Sequence, residues 1–311
     1  MSAGADDLTL IIGGVLGLLL LATLIGEALR MRGVASRQTL DIYITRVNSW
    51  WVMAVTLSVA LLLGKVVTLM LFAFCSFAAL REFMTLTHKT RADHWALVAS
   101  FYVVLPVQYV LVWWGQEGLF TSFIPVYAFL LLPILSMMRG AGASFLARIS
   151  ETQWALMICV FCASHVPALL VIDLGEYSAR SVLLIAFLVL VVQLGDLMVY
   201  FAGRRIGRHR VAPSISPKSW EGVACGAVFA ALIGASVAWI TPFGTAGAAL
   251  MALISFLIGT GGALVLDAIK KDRGVTNWGH IIPGQGGIVD QLDSVFFAAP
   301  VFFYVTRFFW A

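Results

Sequence analysis

Two stretches of this chain gather the side chains that could do chemistry. The first, GDLMVYFAGRRIGRHRVAPSISPKSWEG from Gly195 to Gly222, sets Asp196 one turn before Tyr200 and follows with Arg204, Arg205, Arg208, His209 and Arg210. It closes on a turn-rich segment with Ser216, Lys218, Ser219 and Glu221. The second, Gly261 to Ser294, holds Asp267, Lys270 and Lys271 at i, i+3 and i+4, then PGQGGIVDQLDS with Gly286, Gly287, Asp290 and Asp293. Hydroxyls and lysines bind phosphate, glycine lets backbone close on a ligand, and N–H groups in such turns cradle phosphate oxygens. Mg²⁺ favours one or two carboxylates together with substrate phosphates. The combination suits a polyphosphate with Mg²⁺, with Asp290, Asp267 and Asp293 as candidate metal ligands and room for a second cation. Plainer readings compete: an ordinary basic loop, a local ion pair between Asp267 and Lys271, and a helix-start charge at Asp293.

The elements that must carry these residues are membrane helices. The 311 residues are 61% hydrophobic and only 12% charged, with a mean hydropathy of +0.96, where soluble domains carry roughly 25% charged residues. A span needs about 20 mostly apolar residues. Segments of that kind run 8–29, 96–114, 121–138, 154–172, 181–201, 223–241, 246–269 and 291–308, while 48–80 is interrupted at Gly64-Lys65 and reads as one kinked helix or two. The expected fold is all-α and polytopic, with about ten spanning helices and eight or nine as alternatives. With ten and the N-terminus outside, the loops 30–47, 81–95, 139–153, 202–222 and 270–290 face the cytoplasm. These hold 17 of the 20 Lys and Arg, as short basic loops on that side should. Residues 1–180 then read as scaffold and lipid groove, and 181–311 as the catalytic region with its two motif loops, 195–222 and 261–294.

Taken together, the two loops resemble the phosphatidate cytidylyltransferases, or CDP-diacylglycerol synthases. The first family motif corresponds to Asp196, Tyr200, Gly203-Arg204, Gly207-Arg208-His209-Arg210, Ala212-Pro213, Ser216-Pro217, Lys218-Ser219 and Glu221-Gly222. The C-terminal signature corresponds to Gly262, Lys270-Lys271, Gly279, Pro283-Gly284, Gly286-Gly287, Asp290 and Asp293-Ser294. The likeness implies CTP and phosphatidate as substrates, CDP-diacylglycerol and pyrophosphate as products, and Mg²⁺ held by Asp290 with Asp267 or Asp293. Lys270 and Lys271 would meet phosphates, joined by Lys218, Ser219, Ser216, Arg204 and Asp196, with backbone from Gly286 and Gly287. This sequence departs from the signature at Ala263, where a carboxylate is missing, and at Thr276, Asn277, Gln285 and Gln291. Asp267 restores a carboxylate one turn later on the same helical face. The alternative is a catalytically silent homologue that binds lipid or nucleotide as a regulatory or assembly partner.

Other features exclude more than they add. A formal charge of +4 is too small to argue for nucleic acid. The Cys159/Cys162 pair falls inside an expected span, where thiols behave as small hydrophobes. His88, His94, His165 and His280 lack metal spacing, whereas His209 belongs to the basic loop. Arg81-Glu82 reads as a local ion pair at a helix end, with a lipid-phosphate contact as the second choice. A transporter would place ionisable groups at mid-membrane in related halves, and here the charges cluster at one face. The acidic N-terminus does not read as a signal peptide. A bacterial inner membrane is the expected setting, and a homodimer is an option.

Overall fold

The computed structural model describes residues 2–32, 37–87, 90–138, 140, 144–282 and 284–310. Pro283, His88 and parts of the expected loops 30–47, 81–95 and 139–153 lie outside the described residues. Every regular element among the described residues is helical. The principal helices are α1 (Ser2–Arg32), α2 (Arg37–Leu63), α3 (Lys65–Thr85), α4 (His94–Trp113), α5 (Glu117–Met137), α6 (Phe145–Ala168), α7 (Val182–Ile206), α8 (Trp220–Ser236), α9 (Gly244–Asp272) and α10 (Ile288–Trp310). Nine of these are long and apolar enough to cross a membrane; α8, with 17 residues, is shorter.

The interrupted segment 48–80 resolves into two helices. Gly64 sits at φ +91°, a left-handed conformation that glycine alone adopts readily, and the chain breaks there between α2 and α3. One boundary moves the other way. The sixth helix begins at Phe145 rather than near 154, because Arg148 finds a buried partner: its Nε lies 2.8 Å from Asp93, which ends the single turn Arg91–Asp93 before α4. Ser136 of α5 and Thr90 bond the same carboxylate at 2.7 and 2.9 Å.

Close helix approach in the C-terminal half rests on small residues, as is common in membrane bundles. A Cβ on Gly195 of α7 or Gly226 of α8 would lie 2.4 or 2.7 Å from the ring of Phe256 in α9, and one on Gly262 would lie 2.1 Å from Phe297 of α10. These contacts make α7 to α10 a tight block, while α3 packs against α6 and α10 and joins the N-terminal half to it.

Ion pairs at the helix ends fix direction. Asp7, near the start of α1, pairs with Arg180, just before α7. Lys65 at the start of α3 donates to the Trp113 carbonyl at the end of α4, and Arg307 near the end of α10 pairs with Glu117 at the start of α5. At the opposite end, Lys271 at the end of α9 donates to the Ser214 carbonyl in the loop between α7 and α8 (2.5 Å). Both motif loops therefore share one end of the bundle, and the starts of α1 and α7 share the other.

Candidate functional site

Asp290 stands in the first turn of α10 with its side chain only 8% exposed. One carboxylate oxygen accepts the Trp278 and Gly287 N–H groups at 2.8 and 2.9 Å; the other accepts Lys270 Nζ at 3.0 Å. The glycine-rich turn is shaped around it. Gly286 has φ +95°, and a Cβ there would lie 2.6 Å from Asp290 Oδ2. Ile282 and Gly286 pair through the Ile282 N–H at 2.9 Å, so the turn closes on itself while Asp290 holds its base.

Lys270 joins two acids. Its ammonium lies 2.9 Å from Asp267, one turn back on α9, as well as 3.0 Å from Asp290. The competing local pair of Asp267 with Lys271 is not formed; Lys271 turns to the first motif loop instead. From that loop Lys218 lies 3.7 Å from Asp196 of α7. Asp293 lies within electrostatic range of Lys218, Asp196 and Lys270, so the two acid–lysine groups adjoin. Asp293 Oδ1 is occupied by the Ser294 N–H at 2.6 Å.

The remaining residues of the first loop have structural partners. Ser219 caps α8, its hydroxyl accepting the Gly222 N–H at 3.1 Å, as N-cap serines do. Glu221 accepts the Arg208 and His209 N–H groups and His209 Nδ1, the last at 2.7 Å. Ser216 is buried, its hydroxyl 3.5 Å from the Lys218 N–H. Arg204 lies over the Tyr200 ring, 4.8 Å from its centroid.

Charge decides what this cluster can bind. Three carboxylates, Asp196, Asp267 and Asp290, face two ammonium groups, Lys218 and Lys270, which leaves one formal negative charge, and the buried Asp293 stands beside them. Asp196 Oδ1 is also buried without a hydrogen-bond donor. A phosphate would be repelled by such a cluster unless a divalent cation came with it, so the donor set fits Mg²⁺. Among the described residues no three acids, imidazoles or thiols converge on one point. Asp267, Asp290 and Asp293 therefore do not form a single three-carboxylate ligand set. Carboxylates offered in ones and twos suit an ion that takes its other ligands from phosphate and water.

Sequence reasoning missed the groups that brace the site. Glu82 of α3, expected as a local partner of Arg81, accepts the Ile288 and Val289 N–H groups with its two oxygens at 3.0 Å each, capping α10. A Cβ on Gly287 would lie 2.3 Å from this carboxylate, and one on Gly279 2.7 Å from it. Trp278 stacks on Phe83 at 4.8 Å. Two departures from the expected signature bond one another: Gln291 donates to the Gln285 carbonyl at 3.2 Å, and Gln285 donates to the Arg46 carbonyl in α2 at 2.9 Å. Gln193 of α7 donates to the Gln291 carbonyl at 3.0 Å. An acid adjacent to an arginine was the only signal at Glu82; nothing local points from it to a helix some 200 residues away.

Comparison with known proteins gives this arrangement a context. The sequence model of the cytidylyltransferase family matches residues 44–309. The chain is 34% identical over 296 residues to the uncharacterized protein YnbB of Escherichia coli, covering 94% of this chain and 95% of that one. It is 30% identical over 132 residues to a phosphatidate cytidylyltransferase of Haemophilus influenzae, covering 40% of this chain and 46% of that protein. With one from Staphylococcus aureus it shares 29% identity over 193 residues, 59% of this chain and 74% of that protein.

Proposed function

The chain belongs to the cytidylyltransferase family, and we propose that it transfers the cytidylyl group of CTP to phosphatidate or a related lipid phosphate, giving CDP-diacylglycerol and pyrophosphate. The observation that carries the reading is Lys270 held between Asp267 and Asp290, beside the Lys218–Asp196 pair, in a cluster whose charge calls for a divalent cation. Asp267 supplies the carboxylate that Ala263 does not.

In the reaction a phosphate oxygen of the lipid bonds to the α-phosphorus of CTP. The bond from that phosphorus to the β-phosphate oxygen breaks, and its electron pair leaves with pyrophosphate. Both reactants are anions, so neutralisation and in-line placement are the main needs. Lys270, Lys271 and Lys218 meet phosphate oxygens, Ser216 and Ser219 shape the first loop, and the Gly286-Gly287 turn holds Asp290 beside the nucleotide. Asp290, with Asp267 or Asp293, would hold Mg²⁺, which when bound offsets the phosphate charge and that of the leaving group. No general base is required, because a phosphate monoester with a second pKa of about 6 is already largely ionised at pH 7.

The same reading places both motif loops in the cytoplasm, where CTP is found, and the N-terminus outside. Because α7 and α9 both end at the site, α8 must carry the chain back across as the tenth pass. Its 17 residues span roughly 26 Å at the helical rise per residue, close to a hydrocarbon core of about 30 Å.

The test is CDP-lipid formation by the purified full-length protein from labelled CTP and phosphatidate, with Mg²⁺ or with a chelator. Metal-dependent product is expected, reduced by at least about a hundredfold in Asp290→Asn and in Asp267→Asn. Loss in Asp290→Asn alone would make Asp267 a bystander. A folded wild-type protein that forms no product with any lipid phosphate would replace this reading with that of a silent homologue.

A further inference from the structure

Tyr200, one turn beyond Asp196 on α7, is where two cations meet. The Arg204 guanidinium carbon lies 4.8 Å from the ring centroid, and that of Arg46, from α2, lies 5.8 Å from it. Among the described residues neither guanidinium pairs with a carboxylate, and Arg46 Nε is buried without a hydrogen-bond partner. Like charges gathered at one ring repel, and cation–π attraction recovers only about 1 kcal/mol for each. An anion beside the ring would offset both charges.

The surroundings indicate which anion. Arg46 stands three residues into the apolar stretch of α2 that begins at Tyr43, the depth of a lipid headgroup. Tyr200 and Phe201 are 40% and 54% exposed, and Val52 and Val55 further along α2 are also exposed, so acyl chains would find apolar surface on the lipid side. The pair is fastened to the catalytic loop as well. Gln285 holds the Arg46 carbonyl, and a Cβ on Gly284 would lie 2.8 Å from Thr45. Gln285 thus fixes α2 against the turn that Asp290 orders.

We propose that Arg46 and Arg204, gathered at Tyr200, seat the phosphate monoester headgroup of the lipid substrate. As a substrate seat it rests on the cytidylyl-transfer reading above. Two guanidinium forks match the three terminal oxygens of a monoester dianion, whereas a diester lipid offers two such oxygens and one charge. The seat therefore selects lipid phosphates from the diester phospholipids that surround the protein.

The experiment uses full-length protein in neutral detergent micelles and dioctanoyl phosphatidate, read both by equilibrium binding and by turnover. In Arg46→Gln and Arg204→Gln the Kd and KM for phosphatidate should rise about tenfold or more, with the KM for CTP unchanged. Arg46→Lys, which keeps the charge but not the fork, should fall between, and thermal unfolding identifies any variant that has not folded. A rise in the KM for CTP instead would assign the pair to the nucleotide and overturn the proposal. So would an equal loss in Arg205→Gln, or dioctanoyl phosphatidylglycerol binding as tightly as phosphatidate. If the wild-type protein makes no CDP-lipid, the reaction assignment fails while the binding measurements still decide the seat: unchanged phosphatidate affinity in both glutamine variants would remove it.

Discussion

At residue scale the site is organised by carboxylates that bind backbone as much as by those that would bind substrate. Asp290 accepts two N–H groups and one ammonium, so its position is over-determined before any ligand arrives. Glu82 performs the same service one step further out, satisfying two of the N–H groups that every helix start leaves without partners. Replacing Glu82 with alanine would strand both N–H groups in a buried place at a cost of about 2–4 kcal/mol, and it would loosen the turn that carries Asp290. We expect the apparent Tm of detergent-solubilised Glu82→Ala to fall and its turnover to fall with it. Glu82→Gln, whose amide presents only one acceptor, should lie between. An unchanged Tm in Glu82→Ala would show that this cap is not a stabilising contact.

At the scale of elements, the N-terminal half is pinned by one acid. Asp93 ties α4, α5 and α6 together through Arg148, Ser136 and Thr90. Burial opposes its charge, but the Thr90 N–H and hydroxyl, the Ser136 hydroxyl and Arg148 outweigh burial and hold the carboxyl at about 2, against about 3.9 in an unfolded chain. The folded value is the lower one, so this contribution is complete above about pH 4 and is lost as the pH falls toward 2. Thermal unfolding of the wild-type protein should therefore steepen in its pH dependence below about pH 4, while Asp93→Asn should be less stable at neutral pH and flatter in that window. Parallel profiles for the two proteins would remove Asp93 from the acid sensitivity. Helix existence was legible from apolar length. The start of α6 was not, since a charged stretch such as Phe145–Gln153 reads as loop until Asp93 is placed beside Arg148.

At the scale of the whole molecule, the chain has two unlike ends. One carries the motif loops and the acid–lysine cluster; the other carries the Asp7–Arg180 and Glu117–Arg307 pairs. The start of α1 and the end of α10 lie at the end away from the site, and on the proposed ten-pass reading that end is outside. A C-terminal alkaline phosphatase fusion in a bacterial host should then be active and a green fluorescent protein fusion dark. The reverse pattern would mean that the site faces outward or that α8 does not cross. Basic residues already favoured this orientation, because 17 of 20 Lys and Arg lie in the loops assigned to the cytoplasm and positive loops resist translocation.

The membrane class, the approximate positions of the helices and the two chemical loops were determined by sequence alone, because apolar length and short-range spacing are local properties of a chain. The resemblance carried by those loops was legible for the same reason: Asp196, Lys218, Lys270 and Asp290 stand in ordered motifs. Only the tertiary structure decided which carboxylate meets which lysine, that Lys271 crosses to the other loop while Lys270 stays with Asp267, and that Glu82 serves α10. It also brought Arg46 to Tyr200. Apart from the Asp267–Lys270 pair, these are contacts between residues far apart in the chain, and their partners are set by how the helices pack, as α7 to α10 do at Gly195, Gly226 and Gly262, which no local pattern encodes.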